Sequence, residues 1–255
     1  YGQLANYKPP VVTRVHSGDG RLLAEYAKER RVFIPVSVMP KLLIKAFLSS
    51  EDKNFFEHSG VDPASLMNAA INNLLNIYKN KRPRGASTIT QQVAKNFLLS
   101  NELSLERKIK EAILAFRIEK AFSKNRILEL YLNEIYLGMG SYGVAAAALN
   151  YFDKSLDELT VEEVAYLAAL PKAPNNYHPV RRKSAATARR NWVIQKMHEN
   201  GFISKTTMEI AQSIELKTKP RSETEFVDAK YFVEEVRRKL CLLYTSPSPR
   251  DTEVS

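Results

Sequence analysis

From Pro40 onward the apolar positions recur at helical spacing. Leu42, Leu43, Ala46 and Phe47 fall on one helix face, and Pro40 suits the first turn. The same period predicts helices over 63–78, 88–99, 104–122, 123–137 and 144–150. Ile89, Val93 and Phe97 form the apolar face of the second of these. Thr160-Val-Glu-Glu163 has the pattern of a capping box and predicts a helix that ends before Pro171. Residues 184–200 and 204–215 predict two more, with Gly201 at the C′ position between them. Residues 79–85 read as a polar, basic loop and 138–143 as a turn.

Before Pro40 the pattern is different. Pro9, Pro10 and Pro35 exclude long helices. Pro-Pro-Val-Val-Thr-Arg-Val, then Ser17-Gly-Asp-Gly20, then Arg21-Leu-Leu-Ala-Glu-Tyr read as strand, turn and returning strand. The expected fold is therefore mainly α, with a short β or extended N-terminal segment and no internal repeat.

Composition narrows the class. The chain has 255 residues, 44% of them hydrophobic, enough for a core and against wholesale disorder. One Cys, Cys241, excludes a disulfide framework and a Cys-based zinc cluster. The four His, at 16, 58, 178 and 198, show no His-Glu-x-x-His spacing. A net charge of +10 admits nucleic acid, an anionic membrane surface or a phosphate-bearing substrate, and does not choose among them. The longest nearly apolar stretch, Val144–Phe152, is about half of the ~20 residues a membrane span needs.

Four segments carry candidate chemistry. Glu51-Asp52 ends a Leu- and Phe-rich helix, and a carboxylate against apolar surface gains proton affinity useful for proton transfer. The plainer alternative is a solvated acidic pair at a helix end. Ser87, Thr88, Thr90, Gln91 and Gln92 crowd a helix N-terminus behind Gly85 and Ala86, where free amides favour anions, and Lys95 lies two turns further in. Its alternative is an N-cap with a polar helix face. Arg107, Lys108 and Glu111 put two cations beside a carboxylate, suited to a phosphate leaving group or to a surface ion pair. Gly138-Met-Gly-Ser-Tyr-Gly143 matches a dinucleotide fingerprint letter for letter. It follows a helical pattern rather than a strand, which argues against nucleotide binding.

In order along 47–179, these segments resemble the five motifs of glycosyltransferase family 51, the peptidoglycan glycosyltransferase module of class A penicillin-binding proteins. Glu51, Asp52, Phe55, His58 and Gly60 match the first motif. Gly85 to Asn96 match the second, and Arg107, Lys108 and Glu111 the third. Ile127-Leu-Glu-Leu-Tyr-Leu-Asn133-Glu-Ile-Tyr136 with Gly138, Gly140, Tyr142 and Gly143 match the fourth, and Ala168-Ala-Leu-Pro-Lys-Ala-Pro174 the fifth.

The resemblance implies a lysozyme-like, two-lobed glycosyltransferase fold whose smaller lobe dips into the membrane interface. It implies polymerisation of lipid II with inversion at C1 and release of undecaprenyl pyrophosphate. Glu51 is then the general base and Glu111 the second acidic residue. Lys95, Arg107 and Lys108 neutralise the pyrophosphate, while Ser87, Thr88, Thr90, Gln91 and Asn96 position sugar and phosphate. Asp52, Phe55, His58, Gly60, Gly85, Asn133 and Tyr136 support the motifs. No ligand set requires a metal, although a divalent cation, Mg or Mn, can assist this chemistry. The implied partners are lipid II, the growing glycan, the membrane surface and other cell-wall synthesis proteins. The stretch from Leu66 to Tyr78, with Lys79, Lys81 and Arg82, suits the headgroup region, its alternative being a buried core helix.

The expected organisation is a linker or hairpin over 1–39 following a membrane anchor, the glycosyltransferase domain over 40–215, and the start of a linker to a transpeptidase region over 216–240. The implied location is the outer, periplasmic face of the bacterial cytoplasmic membrane. Residues 228–240 read as an amphipathic helix. Residues 241–255 break the pattern and resemble the translation of a sequencing adaptor. A rival assignment is a lytic enzyme of lysozyme-like fold, which needs neither the second nor the third motif. A basic nucleic-acid-binding module is more distant, for no recognition motif is present.

Overall fold

The computed structural model describes residues 13–16, 22–26, 30–78, 87–98 and 104–219. The chain divides into two compact units, one of residues 1–9 and 29–221, the other of residues 10–28 and 222–255. In the second unit β1 (Thr13–His16) pairs antiparallel with β2 (Leu22–Tyr26), Thr13 opposite Tyr26. This is the expected hairpin; its turn, the expected helix over 228–240 and the anomalous 241–255 lie outside the described residues.

The first unit is helical. Among the described residues it contains α1 (Lys41–Glu51), α2 (Pro63–Tyr78), α3 (Ile89–Leu98), α4 (Leu105–Ala121), α5 (Lys124–Glu134), α6 (Val144–Phe152), α7 (Val161–Ala169), α8 (Lys183–Glu199) and α9 (Lys205–Ser213). Side-chain oxygens start most of them by accepting from free first-turn amides. Asp62 accepts from Ser65 N, Ser104 from Arg107 N and Ser204 from Thr207 N, at 3.0, 3.1 and 3.0 Å. The box expected at Thr160 forms, Glu163 accepting from Thr160 N at 2.9 Å. Gly201, at φ +73°, ends α8 as expected, its N–H reaching the His198 carbonyl.

The apolar period becomes one core. Leu43, Ala46, Phe47 and Leu48 of α1 are buried where that helix packs on α7 and α8. Each large side chain so buried contributes roughly 1.5–3 kcal/mol. Ile89, Val93 and Ala94 are the buried face of α3, which packs on α4 and α5. Tyr151, Phe152 and Tyr166 meet edge to face between α6 and α7. Arg190 of α8 is also fully buried, donating to Asn191 Oδ1 and to the Gln212 carbonyl near the end of α9.

Three features depart from the expectation. Helix α5 stops at Glu134 rather than near 137, because Ile135 turns extended. The 138–143 turn contains β4 (Ser141–Tyr142), paired in parallel with β3 (Arg30–Arg31). Residues 30–39, expected as part of a linker, are bound to the helical body. Ile34 N donates to Asn133 Oδ1, Asn133 Nδ2 donates back to the Ile34 carbonyl, and Val36 N donates to Glu129. Two-residue strands and backbone clamps leave no periodic signal.

Gly143 opens α6 at φ +80°, and a Cβ there would stand 2.4 Å from the Asn133 carbonyl oxygen. Gly201 has a similar φ but open space around it. Thermal unfolding should therefore separate them: Gly201→Ala should lower Tm by ~2–4 °C and Gly143→Ala by at least twice as much. Equal losses would show that the close approach at Gly143 is relieved at no cost.

Candidate active site

The site is built around the start of α3. Thr88 is its N-cap, and Gln91 lies three residues on. Gln91 N donates to Thr88 Oγ1 (3.2 Å) while Thr88 N donates to Gln91 Oε1 (3.0 Å), a reciprocal capping box. Thr88 Oγ1 also donates to the Gly60 carbonyl at 2.6 Å. Both side chains are buried. Their polar atoms hold the helix start and the 52–60 loop together. Thr90, buried as well, donates to Glu119 at 2.6 Å.

Asp52 joins α1 to α3. Its Oδ2 accepts from Ile89 N at 3.0 Å. His58 Nε2 lies 3.0 Å from each carboxylate oxygen. Gly60 N donates to His58 Nδ1, so the ring carries its proton on Nε2 and donates it to Asp52. Beneath this loop Lys124 donates to the His58 carbonyl, pairs with Glu119 at 2.7 Å and sits 4.4 Å from the centre of the Phe55 ring. Gly60, at φ +101°, lies against the Ala115 backbone of α4, where a Cβ would come within 2.8 Å.

Glu51, the last residue of α1, is half-buried and accepts from Gln92 Nε2 at 3.0 Å. Burial pushes its carboxyl above the usual carboxylate range, and the Asp52 charge adds to this. The Gln92 hydrogen bond and the Arg189 and Lys172 charges pull the other way without cancelling it. On α5, burial holds the Tyr131 hydroxyl far above its ordinary range, and the charges of Glu51 and Asp52 add to that. A carboxylate with raised proton affinity at a partly open helix end can take a proton from a hydroxyl. The solvated acidic pair is thus excluded: Asp52 is buried and bonded, and only Glu51 is partly open.

The second carboxylate is not a surface ion pair either. Glu111 of α4 is 1% exposed in its side chain, with Lys108 on one oxygen and Arg107 Nε 3.1 Å from the other. The Arg107 contact has the distance of an ion pair without the alignment of a hydrogen bond. Lys108 Nζ also donates to Ser87 Oγ at 2.8 Å. Both carboxylates are therefore tied to the start of α3, Glu51 through Gln92 within it and Glu111 through Lys108 and Ser87, which precedes the N-cap.

Other expected residues are dispersed. Lys95 and Asn96 are exposed near the end of α3, and Lys95 has no ion-pair partner among the described residues. Asn133 clamps Ile34, and the Tyr136 ring lies 5.0 Å from that of Tyr142. Gly85 lies outside the described residues. Among the described residues no three His, Cys, Asp or Glu side chains gather to hold a metal ion. Sequence reasoning missed Gln92, Lys172 and Arg189 as neighbours of Glu51. Gln92 and Lys172 stood inside quoted motifs; Arg189 lies outside all five.

Because Glu51 has a raised folded-state pKa, stability is greatest below its unfolded value and falls as pH rises through the folded one. Glu51→Gln removes that buried charge and keeps an acceptor for Gln92. Its Tm should exceed that of the parent at pH 7.5, with the gap closing near pH 4. A lower Tm than the parent at pH 7.5 would mean that the ionised carboxylate stabilises the fold.

Comparison with known proteins agrees with this geometry. Residues 19–198 match the family described as Transglycosylase. Penicillin-binding protein 1A of Rickettsia prowazekii (strain Madrid E) is 51% identical over 246 residues, 96% of this chain and 31% of that protein. The protein of the same name from Escherichia coli (strain K12) is 40% identical over 248 residues, 97% of this chain and 29% of its own length. The chain thus spans about a third of the length of these relatives. The 2.6 Å crystal structure of penicillin-binding protein 1A from Haemophilus influenzae superposes with a TM-score of 0.53 at 27% identity, covering 92% of this chain and 25% of that one. A helical body with the five motifs on one framework, matched over 19–198, places the chain in the Transglycosylase family.

Proposed function

We propose that this chain is a peptidoglycan glycosyltransferase that polymerises lipid II into glycan strands. The sugar 4-hydroxyl of the acceptor attacks C1 of the donor from the face opposite its pyrophosphate. The new O–C1 bond forms as the C1–O bond to undecaprenyl pyrophosphate breaks, with inversion. Glu51 takes the hydroxyl proton, and the electron pair of the broken bond leaves with the pyrophosphate. The observation that carries this is the half-buried Glu51, its proton affinity raised, tied through α3 to a second buried carboxylate flanked by cations.

Lys95, Arg107 and Lys108 neutralise the charge that develops on the leaving pyrophosphate. Glu111 fixes Arg107 and Lys108 and so orients that charge. Ser87 and Asn96 contact sugar or phosphate, whereas Thr88, Thr90 and Gln91 act by shaping the helix start that presents them. A divalent cation has no protein ligand set among the described residues, so no step is assigned to one.

The reaction takes place at the outer face of the bacterial cytoplasmic membrane. No helix among the described residues is long and apolar enough to cross a membrane. Surface attachment is instead supported by exposed apolar side chains: Leu66, Met67 and Ile71 on α2, and Ile109, Ile113 and Phe116 at helical spacing on α4. Met67 is 67% exposed, which disfavours a buried core helix there. Such side chains, followed in sequence by Lys79, Lys81, Arg82 and Arg84, suit the acyl–headgroup boundary.

Two experiments test this. Incubated with lipid II, the protein should yield long glycan, and Glu51→Gln should lower the rate at least ~10²-fold. Shortening of preformed glycan without polymer from lipid II would instead identify a lytic enzyme. In a vesicle-binding assay, Met67→Glu with Ile71→Glu should weaken attachment to anionic bilayers about tenfold or more. Unchanged binding would remove α2 from the membrane surface.

A further inference from the structure

Helix α8 carries a cluster that the proposed mechanism leaves unused. Arg189, Trp192 and Lys196 are spaced three and four apart and so share a helix face. The Arg189 guanidinium carbon lies 3.9 Å from the centre of the Trp192 ring, and Lys196 Nζ lies 5.8 Å from it. Trp192 is 38% exposed. Arg189 Nε is buried and makes no hydrogen bond. Among the described residues no carboxylate forms an ion pair with this guanidinium. What holds the side chain is the indole face.

The charge so held acts on Glu51. Helix α8 packs on α1, whose last residue is Glu51, and the two charges attract each other. The titratable and charged groups around Glu51 come from four directions. Asp52 is its neighbour in sequence, Tyr131 comes from α5, Lys172 follows α7, and Arg189 comes from α8. Gln92 of α3 adds a neutral donor. Of these, Arg189 opposes the effect of burial more than Lys172 does. An arginine side chain left free loses that position among its many rotamers.

We propose that Trp192 is a positioning residue, whose indole face holds the Arg189 guanidinium within electrostatic reach of the Glu51 carboxylate. This rests on the assignment of Glu51 as general base. Stacking of a guanidinium on indole is the strongest of the cation–aromatic pairings and needs no hydrogen bond, which agrees with the unpaired Nε. The arrangement keeps a positive charge near the base without a direct bond that would occupy its oxygens. The base then stays open to the acceptor hydroxyl yet ionises at a lower pH than burial alone would allow.

The sign of the effect follows. Loss of the Arg189 charge leaves burial and Asp52 less opposed, so Glu51 holds its proton to higher pH. The acid limb of the polymerisation profile should move to higher pH in Arg189→Gln. At the acid end, kcat relative to the alkaline plateau should drop about three- to tenfold. Trp192→Leu should move the limb the same way, by less, and Trp192→Phe should restore it. In the Arg189→Gln background, Trp192→Leu should add nothing. Trp192 is the only Trp of the chain, so its emission reports the stack without turnover. Arg189→Gln should change that emission at unaltered helix content.

The outcomes are separable. A parent protein that makes no polymer, or a Glu51→Gln variant that keeps the acid limb, overturns the general-base assignment. An acid limb unmoved by Trp192→Leu, or moved equally with and without Arg189, overturns the positioning role alone. An emission spectrum indifferent to Arg189→Gln does so even if Trp192→Leu fails to fold.

Discussion

One carboxylate organises the site, the buried Asp52 rather than its neighbour Glu51. Asp52 accepts from the first amide of α3 and from His58, and both bonds lie in the interior, where an unmet partner is expensive. That fixes the end of α1 against the start of α3. Glu51 and Asp52 differ by one peptide unit, yet Asp52 is spent on structure while Glu51 stays partly open. The division works because the chain leaves its helix between them: Asp52 has extended φ and turns inward, while Glu51 keeps the last helical position and a partly open face.

Charge is handled the same way elsewhere. Glu111 would be prohibitively costly to bury alone, and Arg107 and Lys108 accompany it. Glu119 is shared by Thr90 and Lys124, and Lys124 continues to the His58 carbonyl and the Phe55 ring. These links run from α3 through α4 and α5 back to the loop after α1. Loss of any one leaves a buried polar atom behind, which makes the network cooperative rather than a set of independent contacts. The net positive charge of the chain thus has a local use: cations are placed beside buried carboxylates.

Much of this was legible in the chain itself. Helix starts at Asp62, Ser104, Thr160 and Ser204 are written as side-chain oxygens before an apolar period, and they form as written. Glu51 and Glu111 were readable because motifs surround them. Thr88 and Gln91 were not separable by residue type, since the same oxygens and amides cap a helix or bind an anion, and only burial distinguishes the two. Arg189 was invisible because the carboxylate its charge acts on is 138 positions away in sequence, on another helix. The β3–β4 pairing escaped for a similar reason, as two residues carry no period.

Gly60 carries a consequence for the width of the site. Its missing side chain lets the loop after α1 rest directly on the backbone of α4, where even a methyl would intrude. The same residue gives its carbonyl to Thr88. Position 60 is therefore a spacer of zero thickness between the part of the molecule that carries Glu51 and the part that carries Glu111. Any side chain inserted there is a shim: it would press the two carboxylates apart and strain the links that tie both to the start of α3. The gauge of this site is set by an atom that Gly60 lacks.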